Sequence, residues 1–92
     1  MDIRLTPKAL ESYYEAPQDV QKAFDKQIKF LGSYLRYPSL RAKKYDESEG
    51  IWQARINDNW RFYFQIRDSV YRFNGKFVRL KTAFSAIMEV NN

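Results

Sequence analysis

Two periodicities divide the chain. Before residue 36 apolar residues recur at three- and four-residue steps, and beyond residue 40 they mostly alternate with polar ones. Val20, Phe24, Leu31 and Leu35, joined by either Ile28 or Gln27, form an amphipathic stripe that predicts a helix over 17–36. A shorter helix is predicted over 7–16: Thr6 supplies a hydroxyl cap and Pro7 suits the first helical position. Leu10, Tyr13 and Tyr14 lie on one side of it. Pro17 disfavours helical geometry at Ala16, so the first helix pauses there before the second begins. Lys22, Lys26 and Lys29 fall off the stripe and read as a solvated face. Two helices with almost no loop between them predict a helical hairpin.

Strand signals flank this hairpin. "DIRLT" at 2–6 places Ile3 and Leu5 on one face, and "RAKKY" at 41–45 has the charge of an edge strand. Beyond Gly50, "IWQARI" at 51–56 and "WRFYFQIRD" at 60–68 alternate strictly. Asp68-Ser69 predicts a tight turn into "VYRF" at 70–73, and Asn74-Gly75 a hairpin into "KFVRLK" at 76–81. "TAFSAIMEV" at 82–90 fits a last strand or a short helix. The expectation is one α+β domain over residues 1–92, an N-terminal helical hairpin packed on a mainly antiparallel sheet of four or five strands.

The hairpin spanning "QARINDNWRFYFQ" has a register that its faces decide. Trp52, Ala54 and Ile56 form the apolar face of one strand, and Trp60, Phe62, Phe64 and Ile66 that of the other. A two-residue turn at Asp58-Asn59 would set Arg55 against Phe62, mixing the faces. A three-residue loop, Asn57-Asp58-Asn59, pairs Ile56 with Trp60, Ala54 with Phe62 and Trp52 with Phe64, and the faces agree. Asn and Asp also tolerate the left-handed conformation such loops need. Arg55 then lies opposite Arg61, and Gln53 opposite Tyr63. Like charges across strands cost a few tenths to about 1 kcal/mol. Either the guanidiniums splay into water, or an acid such as Asp46 or Glu47 sits between them, or the pair binds phosphate beside a tyrosine that stacks on a base. Trp52, Trp60 and Phe62 read as core on the helix-covered face.

Composition narrows the chemistry. The 92 residues are 45% hydrophobic and 17% aromatic, ample for a core, and contain neither cysteine nor histidine. Histidine acid–base chemistry is excluded within this chain, and no metal or other cofactor site is expected. Three glycines form no phosphate-binding loop. No apolar run reaches the length of a signal segment or membrane span, so a cytoplasmic protein is expected. Sixteen Lys and Arg against eleven acids, a net +5, favour an anionic partner, nucleic acid first.

From Tyr37 to Phe64 the run "YPSLRAKKYDESEGIWQARINDNWRFYF" resembles the RelE/ParE superfamily, the toxins of type II toxin–antitoxin modules. A "P-S-L-x-x-K-K" approach, a glycine, a "W-x-x-R-I" strand, a short polar loop and a "[YW]-R-[VF]-x-[YF]" strand follow in that family's order. With the N-terminal strand and helices, the resemblance covers roughly residues 1–70. It implies a toxin held by a cognate antitoxin protein. Many members are ribosome-dependent, metal-free mRNA endonucleases, and the ParE branch inhibits DNA gyrase without cutting RNA. The family's functional arginine matches Arg61, and a basic residue in the preceding strand matches Arg55. Nuclease members often end in a histidine or in a basic run with a tyrosine, whereas here no histidine and no tyrosine follow Tyr71. The alternative is therefore a non-catalytic binder, either a gyrase-inhibiting relative or a toxin inactivated by its divergent C-terminus.

Metal-free RNA cleavage uses the ribose 2′-OH as nucleophile, and the protein must accept a proton, donate one and stabilise phosphorane charge. Arg55 and Arg61 suit the last task, and Tyr63 is the candidate for stacking or proton transfer. Without histidine the base is a carboxylate, a tyrosine, or a lysine that positive neighbours make easier to deprotonate, such as adjacent Lys43 and Lys44. The expected catalytic set is Arg55, Arg61 and Tyr63, with Lys43, Lys44 and Gln53 binding RNA. Lys76, Arg79 and Lys81 add charge near the end of the chain.

Overall fold

The computed structural model describes residues 2–73, 75 and 77–80. In chain order the elements are β1 (Asp2–Leu5), α1 (Pro7–Glu15), α2 (Gln18–Ser33), a 3-10 turn (Pro38–Leu40), β2 (Lys43–Asp46), β3 (Ile51–Arg55), β4 (Trp60–Arg67), β5 (Val70–Phe73) and β6 (Val78–Arg79). Six strands form the sheet among the described residues, rather than four or five. They run in the order β1-β5-β4-β3-β2, with β6 also paired to β4. Only β1 and β5 pair in parallel; the other pairings are antiparallel. The architecture is the α+β hairpin-on-sheet arrangement expected.

The helices begin where local chemistry starts them. Thr6 caps α1 by accepting from the Ala9 amide at 3.3 Å, while its own hydroxyl donates to the Phe73 carbonyl at 3.1 Å and so fixes the helix to β5. Ala16 is extended, as a residue preceding proline must be, and Pro17 stands just before α2. The inward face of α1 is Ala9, Tyr13 and Ala16, whereas Leu10 and Tyr14 are 42% and 69% exposed. Helix α2 stops at Ser33, short of Arg36, as the chain turns back so that Tyr37 stacks on Phe30, ring centroids 3.9 Å apart. Val20, Phe24 and Leu31 are buried as the stripe predicts. The open position falls to Gln27, which is 6% exposed, with Ile28 packed at the core's margin.

The core is a knot of rings. Phe24 meets Phe62, Phe73 and Phe77 at centroid distances of 5.2, 5.7 and 4.6 Å, while Phe64 packs edge-on against Tyr71 and Phe73. Asp68 and Ser69 form the tight turn with φ of 50° and 62°, the left-handed pair that matches strand twist in a two-residue hairpin. The second expected hairpin turns at Asn74, which is not among the described residues, and among those that are, the strand beyond it does not pair with β5. Val78 and Arg79 pair instead with Arg61 and Trp60 of β4, in line with β5 along the same edge. β4, eight residues long, has room for both partners. Asn74, Lys76 and Lys81 and the tail at 82–90 lie outside the described residues. No helix among the described residues is long and apolar enough to cross a membrane.

Candidate nucleic-acid interface

The side chains of alternate residues on β3 and β4 leave one face of the sheet covered by helices and the other outward. The register is Trp52 with Phe64, Gln53 with Tyr63, Ala54 with Phe62 and Arg55 with Arg61, as face matching requires. Asn57 builds the connecting loop. Its Oδ1 accepts from the amides of Asn59 and Trp60, both at 2.9 Å, and the Ile56 amide donates to the Trp60 carbonyl at 2.9 Å. β6 braces the loop from outside, where the Leu80 amide donates to the Asn59 carbonyl at 2.7 Å.

On the outward face Arg55 and Arg61 are cross-strand neighbours, and the loop supplies the acid. Arg55 forms an ion pair with Asp58, not with Asp46 or Glu47. Asp46 is occupied in its own turn, accepting from the Ser48 hydroxyl at 2.8 Å and the Glu49 amide at 3.2 Å, which holds its carboxyl below the usual range. Arg61 donates to the carbonyls of Asn57 at 2.7 Å and Trp60 at 3.0 Å. Partial burial pushes its guanidinium below the usual arginine value, and repulsion from Arg55 and Arg41 adds to this. Arg41, absent from the expected set, is thus a further cation acting on Arg61. It follows the 3-10 turn in a left-handed conformation, φ 46° and ψ 43°. The "R" of "RAKKY" was its only sequence signal.

One rung along, the Gln53 amide donates to the Tyr63 hydroxyl at 2.9 Å. Having accepted there, that hydroxyl keeps a proton of its own to give. Lys43 pairs with Gln53 and shares this face. Lys44 pairs with Trp52 and lies on the opposite face, its Nζ 5.2 Å from the Trp52 ring centroid, with the Arg36 guanidinium at 5.6 Å. Lys43 and Lys44 therefore do not cluster, and the reason for expecting one to act as a base falls away. Of the six expected residues the fold gathers Arg55, Arg61, Tyr63, Gln53 and Lys43 and sets Lys44 apart. Arg79, opposite Trp60 in β6, also lies off the outward face.

The outward face carries more charge than the expected set contained. Arg4 of β1 lies directly beside Arg72 of β5, and Arg72 opposite Gln65 of β4, so both share the face of Arg61. Both are exposed, and among the described residues neither makes an ion pair. They line a shallow recess of about 310 Å³ with Leu5 and Thr6. No group of acids, cysteines or histidines able to hold a metal occurs among the described residues.

Comparison with known proteins rests on structure. No family model and no curated protein matches the chain. A YoeB/ParE toxin from Agrobacterium tumefaciens superposes with a TM-score of 0.70 at 14% identity, covering 89% of this chain and 100% of that one. YoeB from Staphylococcus aureus, solved as a dimer, gives 0.70 at 17% identity, covering 86% and 97%. The fold is that of the RelE/ParE toxins. An archaeal RelE–RelB complex from Pyrococcus horikoshii contains the same RelE/ParE arrangement, with a TM-score of 0.68 at 16% identity over 89% and 97%. In this chain the arginine pair lies on the face opposite Phe62, which packs against Phe24 of α2.

Proposed function

We propose that this chain is the toxin of a type II toxin–antitoxin module and cleaves mRNA on the ribosome without a metal. The observation that carries the reading is the cross-strand pair Arg55–Arg61, reinforced by Arg41, on the open face of a RelE/ParE-type sheet. Two guanidiniums directly opposite each other cost some stability in the free protein, which Asp58 beside Arg55 offsets only in part. A phosphate offsets that cost, and a phosphorane, carrying more charge than the ground state, offsets it further. In this scheme Arg55 and Arg61 hold the scissile phosphate, Tyr63 donates a proton or stacks on a base, and Lys43 and Gln53 hold flanking RNA. Asp58 is the carboxylate that the fold puts against the pair. A cognate antitoxin neutralises the toxin; the archaeal RelE neighbour was solved with RelB and the S. aureus YoeB with YefM.

Induced expression in bacteria tests this. Growth should stop and mRNAs should be cut at ribosome-bound positions, with both effects lost in Arg61→Ala while the variant keeps the wild-type circular dichroism spectrum. Arrest with intact mRNA and gyrase-dependent DNA damage would assign the chain to the gyrase-inhibiting branch. Unhindered growth would make it a binder without catalysis, and an unfolded Arg61→Ala would make that arginine structural.

A further inference from the structure

β2 contains an irregularity. Its register with β3 shifts between Lys44 and Asp46, so Tyr45 sits in a bulge with no residue opposite. A bulge re-aims the side chain it carries. Here it lifts the Tyr45 ring over β3 to meet Tyr63 of β4 edge to face, centroids 5.0 Å apart at 68°. The ring stays 61% exposed, although it rests against another aromatic. Beside the two rings runs an open trough of about 630 Å³, lined by Tyr45, Ile51, Tyr63, Gln65, Gly75 and Val78, with the acid Glu49 at its wall. That volume falls within the range of about 300–1,000 Å³ typical of small-ligand sites. Tyr63 stands one rung from Arg55–Arg61, or about 7 Å along the strands. A nucleotide whose phosphate lies on the arginines carries its base, or its neighbour's, to this place.

Resting on the RNA reading above, we infer that this trough seats one unpaired RNA base, stacked on Tyr45 with Tyr63 behind it. Gln53 fixes Tyr63 by its hydrogen bond, so the platform is set before RNA arrives. A base inside a duplex cannot reach a ring that stands on a sheet face, so the site selects single-stranded RNA. Lys43, exposed on the same face, meets the backbone on the β2 side. Tyr45 thereby acquires a role that its place on a charged edge strand does not suggest.

The test uses the full chain and a short 2′-O-methyl RNA, which resists cleavage, with 2-aminopurine moved through successive positions. At one position the probe's fluorescence should be quenched on binding. Tyr45→Ala should remove that quenching and weaken binding about tenfold. Tyr45→Phe should retain both, and an abasic residue at that position should make wild type and Tyr45→Ala bind alike. Thermal melts of the variants show whether the fold is kept. If binding falls with Arg61→Ala yet ignores Tyr45→Ala, the base site is overturned and the phosphate site stands. No binding, or binding indifferent to Arg61, overturns both.

Discussion

Under the proposed function, Asp58 occupies the position beside Arg55 that a phosphate oxygen would take. It is 82% exposed, three residues along in the loop, and free of any core packing that would hold it there. An exposed pair of this kind is worth between nothing and about 1 kcal/mol, so a polyanion displaces it readily. It still competes. Asp58→Asn should tighten binding of single-stranded RNA several-fold at low salt. Because Arg55 gains a phosphate contact, the slope of log affinity against log salt should steepen by about 0.7. Fluorescence titrations over a series of salt concentrations measure both. Unchanged affinity and slope would show that Asp58 does not screen the site. Cleavage that disappears while binding tightens would make Asp58 the proton acceptor.

Between elements, the decisive residue is Gln27 of α2. Its amide donates to the carbonyls of Ser39 at 3.0 Å and Arg55 at 2.6 Å, and its Oε1 accepts from the Ser39 hydroxyl at 3.0 Å. One side chain thus ties the helix to the 3-10 turn that Arg41 ends and to the end of the strand that carries Arg55. Gln27→Leu keeps the size but leaves those partners unsatisfied, and should lower unfolding free energy by about 2–3 kcal/mol in urea titrations. A loss below 0.5 kcal/mol would show that water replaces the amide at no cost. Gln27 also marks what sequence can and cannot disclose. The Asn57–Asn59 loop was legible because strict alternation in two strands leaves one register with consistent faces. A glutamine on an apolar helical stripe carries no such signal, since its partners are carbonyls that only the assembled fold brings near. The partner of β6 was hidden for a related reason: turn chemistry speaks of adjacent segments, whereas β6 is held by the length of β4 beyond β5. Arg41 and the bulge at Tyr45 depend on backbone irregularities that periodicity does not encode.

At the scale of the molecule, cations gather on the outward face of the sheet from Lys43 on β2 to Arg4 on β1, crossing Arg55, Arg61 and Arg72. Among the described residues the acids on this surface are Asp58, Glu49 and those at the strand ends, so cations predominate across its middle. Arg4 and Arg72 are the informative members, because they lie two strands and one strand beyond β4 and outside the proposed chemistry. Directly adjacent like charges destabilise a sheet, so replacing both with glutamine should leave stability unchanged or raise it slightly. If RNA runs across the whole face, the double variant should lose about 1.4 from the salt slope, two phosphate contacts at 0.7 each. The position of cleavage should not move, since Arg55 and Arg61 are untouched. A slope equal to wild type would end the RNA track at β4 and leave Arg4 and Arg72 as a cationic edge with no RNA on it. A shifted cleavage position would mean that the far pair also sets the register of the strand in the site.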